Sequence, residues 1–581
     1  MDLAKFLVQA VKRFPEATAV VDDQVRWSYR DLYDEVTAVA ANLQQLDAAP
    51  LLGAMELKRA SQAPLRAPTP PKPGDHVLVV LKNSRENLVI YWACQLLGFI
   101  YTPVNFRMPP GELAYCITDS DPRFVMYEEA NRATVEAALK QAQSSAMAFA
   151  IGSGTGANTY AELSRRGTSV SMAPPPVGRD QSGPYAPGVS MAPPPVGRDK
   201  SGPYDPGRGT TLQPVPSIAD DAIAIMLYTS GTTGRPKGVP RSHLNEASAA
   251  EAHIIQNVYT LFESTIAVMP FYHTMGMRTL LSTTFLNGKL VLLPDYEPQA
   301  ALELLAQEKV TSLYLVPTLY YDLVSCPQFD QYDLRALTRL GYAGAAMTSS
   351  LTQTCFERFH PKIFVNHFGS SEVYTFTICS WLDRKPTCAG RPGFHEDVRI
   401  VTADPTRYVL PDEVVDIDTP GEVIVSLSSP EAFKGYWHRP DANEKAIRQG
   451  WYFTGDLGVW DQDGDLWVQG RVDDMLISGG ENIHPLEVED ILAQHPRVAE
   501  VAVAGLPDER WGHIAVAYVV PADTSLTAEE LDQFCLANPH LARFKRPKRY
   551  VFVKQIPKSP VGKILRRKLQ AGEYELYDIS I

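Results

Sequence analysis

Apolar and polar residues alternate in blocks along this chain, and the blocks predict parallel strands with helices between them. The short apolar runs at 75–81, 222–227 and 312–317 are typical of buried strands. Between such runs lie helical stretches, among them one that Asn83 and Ser84 cap and that ends at Leu97. Strands that alternate with helices indicate an α/β fold with a parallel sheet.

Further elements extend the same pattern. Residues 1–46 are predicted to form a helix, a strand at 19–21 and a second helix that Ser28 caps. A helix is expected from Met277 and another over 300–308, with strands or strand-to-loop transitions at 101–107, 266–273, 289–293, 340–346 and 363–372. The carboxyl ends of parallel strands meet at one edge of a sheet, so the polar residues that follow these strands predict one shared cleft.

The pattern changes past Gly390 to shorter strands, at 398–401, 421–426 and 466–470. Residues 470–474 are interpreted as a linker. A compact unit follows, with helices at 485–495 and 527–535 and strands at 498–505 and 513–520. The sequence therefore predicts an N-terminal domain over 1–470 and a C-terminal domain over 471–581.

Two stretches lack this periodicity and are interpreted as insertions. Residues 47–74 are rich in Pro, Ala and Leu, and 167–210 contain a near-perfect tandem duplication, VSMAPPPVGRDQSGPYAPG followed by VSMAPPPVGRDKSGPYDPG. Such a density of Pro and Gly prevents a packed core and favours a mobile or polyproline-like segment. The repeat is either a duplication tolerated in a surface loop or a ligand for an aromatic groove on a partner. No catalytic role is assigned to it.

Composition narrows the class of protein. A chain of 581 residues is expected to form two or more domains, and a net charge of −13 argues against nucleic-acid binding. Seven scattered cysteines without a C-x-x-C pair predict reduced thiols and no zinc site, which favours the cytoplasm. The first residues lack the apolar region of a signal peptide, and no run is long enough for a membrane span.

The stretch LYTSGTTGRPKGV at 227–239 is the first candidate for chemistry. Its glycines and small hydroxyl residues let a backbone approach a polyphosphate and donate hydrogen bonds to it, and Lys237 adds a positive charge. The residues in question are Thr229, Ser230, Gly231, Thr232, Thr233 and Gly234. The order differs from a Walker A loop, in which Gly-Lys-Ser/Thr opens a helix.

Seven further motifs follow in order: MPFYHTMG, GYAGA, HFGSSE, YFTGD, GRVDD, SGGENIHPLEVE and PKSPVGKILRR. Together with the phosphate loop they resemble the adenylate-forming superfamily of acyl-CoA synthetases, adenylation domains and luciferases. These enzymes join a carboxylate to AMP and release pyrophosphate. The resemblance covers nearly all of the chain outside the insertions, and in the C-terminal half it is nearest to aryl-CoA ligases of the 4-chlorobenzoate and benzoate type.

The resemblance implies a large N-terminal domain of stacked α/β sheets with a β-barrel-like subdomain, and a small mobile α+β C-terminal domain. Asp473 would be the hinge about which the small domain rotates. ATP, Mg²⁺ and coenzyme A are the expected cofactors, and a small carboxylic acid is the expected substrate. No nucleic-acid partner is expected, and the protein is predicted to be a monomer or homodimer.

For adenylation, the resemblance implies that Lys563 bridges the carboxylate and the α-phosphate while Lys237 adds positive charge. Thr229 and Glu372 would hold Mg²⁺, and Ser371 would donate to the α-phosphate. The remaining nucleotide contacts would come from Phe368 stacked on adenine, Gly369 beside it, Asp456 on the ribose hydroxyls, and Arg471.

For the thioester step, the resemblance places Arg107, Arg546 and Lys548 on the CoA phosphates and Trp511 on the pantetheine arm, with Gly479, Gly480 and Glu481 shaping the thiol tunnel. His273 would be the gate between the acyl pocket and CoA. The implied pocket residues are His273, Met275, Tyr314, Ala343, His367, Gly369, Tyr374 and Thr375. His367 and Tyr374 stand where the aryl ligase is apolar, which favours a polar ring substituent such as hydroxyl or amino.

The sequence therefore predicts an ATP-dependent acyl-CoA synthetase that acts on an aromatic carboxylate. Three alternatives stay open: a fatty acyl-CoA synthetase, a stand-alone adenylation enzyme that loads a carrier protein, and a catalytically silent interaction protein that uses its Pro-rich repeat. The basic residues at 545–549 disfavour carrier loading, and the set Lys237, Glu372, Asp456 and Lys563 disfavours a silent protein. The motifs also fit a luciferase-like oxygenase, which nothing else in the sequence favours.

Overall fold

The computed structural model of the protein describes residues 2–46, 70–152, 158–164, 217–229, 236–404, 407–478, 481–539, 541–559, 562 and 564–577. These residues form two compact units. The first contains Met1–Pro236, Arg241–His243 and Thr283–Pro294, and the second contains Lys237–Pro240, Leu244–Ser282 and Asp295–Ile581.

In chain order the strands of the described residues are β1 (Thr18–Asp22), β2 (Val25–Ser28), β3 (His76–Val80), β4 (Ile100–Pro103), β5 (Phe124–Glu128), β6 (Met147–Ile151), β7 (Ile223–Thr229), β8 (Lys237–Ser242), β9 (Ser264–Ala267), β10 (Lys289–Leu292), β11 (Ser312–Leu315), β12 (Arg339–Ala343), β13 (Ile363–Phe368), β14 (Thr377–Cys379), β15 (Arg391–Pro392), β16 (Val398–Val401), β17 (Gly421–Ser426), β18 (Ile447–Arg448), β19 (Trp451–Trp460), β20 (Leu466–Arg471), β21 (Leu476–Ser478), β22 (Glu481–Ile483), β23 (Val498–Asp508), β24 (Gly512–Pro521) and β25 (Arg549–Phe552).

The helices of the same residues are α1 (Ala4–Arg13), α2 (Tyr29–Gln45), α3 (Arg85–Leu97), α4 (Pro110–Ser120), α5 (Arg132–Gln141), α6 (Tyr160–Leu163), α7 (His243–Gln256), α8 (Thr274–Phe285), α9 (Pro298–Gln307), α10 (Pro317–Val324), α11 (Ser349–Phe359), α12 (Pro440–Ala446), α13 (Pro485–Leu492), α14 (Ala528–Ala537) and α15 (Arg566–Gln570).

The first unit is built on a parallel sheet in which β6, β5, β3, β4 and β7 are successive neighbours. Every residue of β3 is buried. This burial is expected because a parallel sheet is covered on both faces. The Ser84 side chain accepts from Asn87 N–H and begins α3, and Gly98 ends that helix with a φ of +69°. Elsewhere in this unit β1 pairs with β10 in parallel and with β2 in antiparallel fashion.

The second unit contains a sheet in which β9, β11, β12 and β13 are parallel neighbours, extended by the antiparallel strands β14 and β15. The register places Tyr314 beside Gly341 and Ala343 beside His367. The carboxyl ends of β11, β12 and β13 therefore lie at one edge, which is where an α/β sheet holds its functional residues.

Two further sheets complete the second unit. The first is antiparallel, with β16, β17, β19 and β18 in order and β20 on β19, and its core includes Val425, Phe433 and Tyr452. The last sheet has the order β22, β21, β24, β23, with β25 parallel to β24, and α13 packs Val488 and Leu492 into its core.

The α/β prediction is confirmed, and the differences are local. Strand β2 was not predicted because it is a partly exposed edge strand without clear alternation. Helix α8 begins at Thr274, three residues before Met277, and β23 continues to Asp508. The proposed boundary near Arg471 lies at the end of β20 and stays a prediction.

Several predictions concern residues outside those that the structure describes. They are most of the insertion at 47–74, the duplicated repeat at 170–207, the loop residues 230–235, Gly479, Gly480 and Lys563. Among the described residues, no helix has both the length and the apolar character needed to cross a membrane.

Candidate active site

The polar edge of the second unit is formed where β11, β12 and β13 end. Ala343 and His367 are register partners there, Tyr314 lies on the neighbouring strand beside Gly341, and Phe368 and Gly369 follow His367 directly. Phe368 is partly exposed and meets Phe376 edge to face, with ring centroids 5.2 Å apart. These predicted pocket and nucleotide residues are thus brought together by the sheet.

The turn after β13 depends on Gly369. A Cβ at this position would overlap the carbonyl oxygen of Tyr374. The Ser370 hydroxyl accepts from the backbone N–H groups of Glu372 and Val373, at 3.2 and 3.4 Å, and fixes the direction of the turn. The backbone therefore presents Ser371 and Glu372 from a tightly defined loop.

Replacing Gly369 by alanine is expected to lower the free energy of unfolding by about 1–3 kcal/mol, because the backbone of Tyr374 has to move. Thermal and urea unfolding followed by circular dichroism measure the change. The matched control is Gly111→Ala, because a Cβ at Gly111 meets nothing within 4 Å. Equal stability of the two variants would contradict the close approach at Gly369.

Glu372, Tyr436 and Lys237 form one electrostatic group. The Tyr436 hydroxyl donates to Glu372 Oε1 at 2.7 Å, and Lys237 Nζ lies 4.6 Å from the centroid of the Tyr436 ring. Two backbone bonds fix the arrangement, from Phe433 N–H to Glu372 O and from Trp437 N–H to Gly238 O, both 2.9 Å. The sequence pointed to Glu372 and Lys237, and Tyr436 between them was missed.

The charge of Lys237 is held in a partly buried position. Burial lowers the pKa of Lys237 below its ordinary value, and the nearby Glu372 carboxylate opposes that shift. Glu372 itself is buried, so its carboxylate relies on the Tyr436 hydroxyl and on the lysine for compensation. The group holds a carboxylate and an ammonium together, as a site for a phosphate and its cation requires.

Asp456 and Arg471 form a second group at the junction of β19 and β20. They are register partners, and Arg471 Nη1 donates to Asp456 Oδ1 at 2.7 Å and to Thr454 O at 3.1 Å. Gly455 has a φ of +73°, and a Cβ there would lie 2.9 Å from Arg471 Nη2. Because Gly455 has no side chain, the Arg471 guanidinium has room to lie beside Asp456, the carboxylate predicted to bind the ribose.

His273 lies in the turn directly before α8, and Met275 is the second residue of that helix. His273 N–H donates to Pro270 O at 2.9 Å, and His273 Nδ1 accepts from Met275 N–H at 3.4 Å. Met275 Sδ lies 3.8 Å from the position that a Cβ would take at Gly344, just past β12. Both residues therefore belong to the same polar edge, and the gating role of His273 stays a prediction.

The predicted pocket residues Tyr314 and His367 are part of a buried polar cluster. His253, on α7, lies 4.8 Å from Tyr314 and 5.0 Å from His367 between ring centroids. Asn257 Nδ2 lies 3.0 Å from His367 Nε2 and 3.2 Å from His253 Nδ1. Sequence reading missed both residues: His253 lies in α7, and Asn257 directly follows the last residue of that helix.

Arg278 and Glu246 form a buried ion pair close to this cluster. Arg278 Nη2 donates to Glu246 Oε2 at 2.8 Å, and both side chains are almost fully enclosed. The guanidinium carbon also lies 4.1 Å from the centroid of the Tyr374 ring. The pair contributes no net charge and fixes one wall of the predicted acyl pocket.

Two contacts bring the C-terminal region to the same polar edge. Gly562, directly before Lys563, has a φ of +78°, and a Cβ there would lie 2.7 Å from Thr318 Oγ1. Asp490 Oδ1 on α13 accepts from the backbone N–H and the hydroxyl of Ser349, both at 3.2 Å. Gly562 and Asp490 thus contact the first turns of α10 and α11, the helices that follow β11 and β12.

The predicted CoA residues of the second unit lie in the loops that connect the strands of the C-terminal sheet, Trp511 between β23 and β24 and the others just before β25. Trp511 is 39% exposed, and its ring faces Arg510 at 5.0 Å and Lys548 at 5.7 Å. Arg546 instead lies 2.8 Å from the Asp532 carboxylate, so part of its charge is compensated. Arg107 belongs to the first unit, where its guanidinium lies over the Phe106 ring at 4.7 Å.

The remaining predicted residues are placed only in part. Thr229 ends β7 in the first unit, and Thr375 is buried in the second. The loop residues Ser230, Gly231, Thr232, Thr233 and Gly234, together with Lys563, lie outside the described residues, as does the side chain of Asp473.

Comparison with known protein families decides the class of this protein. The family model described as AMP-binding enzyme matches residues 71–437, and the model described as AMP-binding enzyme C-terminal domain matches 487–563. The chain belongs to the AMP-binding enzyme family. The adenylate-forming resemblance is thereby confirmed, as is the class of AMP-forming acyl-CoA synthetases and ligases that it implied.

Similar enzymes of this family carry different names. A long-chain-fatty-acid–CoA ligase from Bacillus subtilis (strain 168) is 35% identical over 64% of this chain and 66% of its own length. A 4-chlorobenzoate–CoA ligase from Arthrobacter sp is 34% identical over 60% of this chain and 65% of its own. Each alignment spans slightly less than two thirds of the relative.

A solved structure extends the likeness to nearly the whole fold. The anthranilate CoA ligase AuaEII, in complex with anthranoyl-AMP, matches with a TM-score of 0.79 at 22% identity and covers 98% of this chain and 97% of its own. At that identity the match supports the fold alone. It agrees with the predicted large N-terminal domain of sheets and helices and the smaller C-terminal domain.

Proposed function

We propose that this AMP-binding enzyme activates an aromatic carboxylic acid with ATP and transfers the acyl group to coenzyme A, releasing pyrophosphate and AMP. The group of Glu372, Tyr436 and Lys237 carries this proposal. It combines a buried carboxylate with a lysine whose ammonium is held nearby, at the edge where the strands of the sheet end. This is the environment that a nucleotide phosphate and its cation need.

In the proposed adenylation step the chain supplies positive charge and orientation. The carboxylate oxygen of the acid attacks the α-phosphorus of ATP, and the bond to the bridging oxygen of pyrophosphate breaks. Lys237 and Lys563 offset the negative charge that develops, Ser371 donates to the α-phosphate, and Phe368 stacks on the adenine. Asp456, oriented by Arg471, accepts from the ribose hydroxyls.

The oxygen ligands that Glu372 and Thr229 would supply fit Mg²⁺, which prefers carboxylate and hydroxyl oxygens. Glu372 presents a buried carboxylate of which Oε1 accepts from Tyr436, and a carboxylate oxygen has a further lone pair for a cation. Thr229 is the second ligand that the resemblance implies. When bound, the ion would neutralise charge on the phosphates.

In the proposed second step the CoA thiol attacks the acyl carbon of the adenylate and AMP leaves. Trp511, with its exposed ring, suits the pantetheine arm, and Lys548 beside it suits a phosphate. Arg546 would have to leave Asp532, or share its charge with that carboxylate, to hold a CoA phosphate. The proposed rotation about Asp473 and the roles of Arg107 and His273 rest on the resemblance.

An aromatic acid is favoured because aromatic rings cluster at the predicted pocket residues Tyr314 and His367. Tyr314, His253 and His367 lie within 5.3 Å of one another between ring centroids, and flat walls of this kind suit a flat ring. The names of the aryl-CoA ligase relatives agree with this choice, whereas the Bacillus relative makes a fatty acid the competing substrate.

The free cysteines of the described residues support a reducing compartment such as the cytoplasm.

The proposal predicts that the purified full chain forms aryl-CoA thioesters in the presence of ATP, Mg²⁺ and CoA. Mass spectrometry would follow benzoates, cinnamates and C4–C16 fatty acids, while a coupled assay measures pyrophosphate. We expect at least one aromatic acid to exceed every fatty acid in kcat/KM. A preference for fatty acids would contradict the substrate class, and pyrophosphate release without a CoA product would instead support carrier-protein loading.

A further inference from the structure

The histidine cluster in the predicted acyl pocket has unused hydrogen-bonding capacity. His253 and His367 are each 2% exposed, and neither His253 Nε2 nor His367 Nδ1 has a hydrogen-bond partner among the described residues. A buried polar atom without a partner is costly. Two such atoms on rings whose centroids lie 5.0 Å apart point to a ligand that supplies their partners.

The orientation of Asn257 follows from its contacts. Its Nδ2 donates to the carbonyl oxygen of His253 at 2.7 Å, which requires the nitrogen and not the oxygen to face that carbonyl. One Nδ2 hydrogen is left for either His253 Nδ1 or His367 Nε2, and Oδ1 lies 3.2 Å from His367 Nε2. When that hydrogen goes to His253 Nδ1 and His367 Nε2–H donates to Oδ1, one amide occupies the inner nitrogens of both rings.

Both histidines are neutral at physiological pH. Burial lowers the pKa of His367 to about 3, and it holds the pKa of His253 well below its ordinary value, with His367 and Arg278 adding to that shift. A neutral imidazole has one donor and one acceptor. Each ring therefore offers a single N–H or a single lone pair at its remaining nitrogen, according to its tautomer.

The cluster has no charge to offer an anion. The Arg278 guanidinium, which lies close enough to lower the pKa of His253, is paired with the buried Glu246 carboxylate, and the two charges cancel. A further carboxylate or sulfonate placed against two neutral rings would lose its hydration without a compensating cation. A neutral group that both donates and accepts satisfies either tautomer.

We infer that this enzyme selects acids whose ring carries a neutral hydroxyl or amino group, which hydrogen-bonds His253 and His367. The inference rests on the proposed function and goes further by assigning specificity to His253 and Asn257, residues that the sequence motifs do not include. The packing agrees with a fixed site: a Cβ at Gly341 would lie 3.0 Å from the Tyr314 ring and 3.2 Å from Asn257 Oδ1. The cluster thus has little room to rearrange.

The test compares acids that differ only in hydrogen bonding. The full chain is assayed with each positional isomer of hydroxybenzoate, aminobenzoate and hydroxycinnamate against its methyl counterpart, which has a similar size. We expect the preferred polar acid to exceed its methyl counterpart by about 100-fold in kcat/KM, because the methyl compound leaves buried nitrogens unpaired. Benzenedicarboxylates should turn over poorly.

Variants assign the preference to the cluster. His367→Phe and His253→Phe should each reduce the kcat/KM ratio of the polar acid to its methyl counterpart below about tenfold, because each variant removes one of the two hydrogen-bonding rings. The KM for ATP should be unchanged. His367→Gln should retain much of the preference, since an amide also donates and accepts. Unfolding midpoints identify any variant that fails to fold, and the substrate comparison in the unaltered protein stands without them.

The outcomes separate this inference from the proposed function. Hydroxy and methyl acids that react within about threefold of each other would overturn the inference and leave the aryl-CoA ligase proposal standing. A preferred benzenedicarboxylate would also overturn it and would indicate that Arg278 binds the second carboxylate. Turnover of fatty acids alone would instead remove the aromatic substrate class, and the inference with it.

Discussion

Replacing Lys563 by alanine is expected to reduce adenylate formation by about 10³-fold and to leave the thioester step nearly unchanged. Removal of one group that stabilises transition-state charge typically costs about 10²–10³ in kcat. Gly562, the residue before Lys563 in the chain, lies against Thr318 in the first turn of α10, directly after β11. A lysine is suited to this role because its ammonium stands on a long stem.

The two half-reactions are measured separately. Pyrophosphate release from ATP and the acid reports adenylation, and acyl-CoA formation from synthetic acyl-adenylate and CoA reports the second step. Lys568→Ala is the matched control, because Lys568 is an exposed lysine on α15 whose ion pair with Glu573 contributes little. Equal loss in both half-reactions would show that Lys563 does not act in adenylation specifically.

Replacing Glu372 by glutamine is expected to reduce adenylation by about 10²-fold, because the buried carboxylate that faces the nucleotide loses its charge. Tyr436→Phe removes a hydrogen bond to a charged group and should cost about tenfold. If the Tyr436 hydroxyl acts through the Glu372 carboxylate, the losses of adenylation rate in the two single variants will not be additive. The double variant should therefore resemble Glu372→Gln alone.

The pH dependence gives a second readout of the same group. Burial already lowers the pKa of Lys237, and the Glu372 carboxylate opposes that shift by favouring the charged ammonium. Without the carboxylate the pKa of Lys237 falls further, so activity on the alkaline side should be lost at a lower pH in Glu372→Gln than in the unaltered protein. Profiles of kcat/KM from pH 7 to 10 measure the change. An unmoved alkaline limb would mean that Lys237 does not supply the required charge.

The candidate site shows why sequence reading reached some residues and missed others. Glu372, Asp456 and Lys237 stand in the short motifs that carry the resemblance to adenylate-forming enzymes. Tyr436 lies 64 residues from Glu372, in a run of aromatic residues that also suits a core. Nothing local marks its hydroxyl as the partner of a buried carboxylate.

The acyl pocket makes the same point more strongly. His253 on α7 and Asn257 just past its end are polar residues with no motif around them, and His367 is 110 residues from Asn257. Their meeting requires α7 to pack over the ends of β11, β12 and β13. Neither the neutrality of the two histidines nor the pairing of Arg278 with Glu246 can be read without that packing, because both arise from burial.

The sequence by itself determined the α/β alternation and the order of the motifs that carry the family resemblance, because helix and strand periodicity and turn chemistry are local properties. Tertiary structure alone decided that Tyr436 joins Glu372 to Lys237 and that an amide bridges two buried histidines. It also decided that Arg546 is paired with Asp532. These are contacts between distant segments, and their energies depend on exclusion of water, which only the folded chain provides.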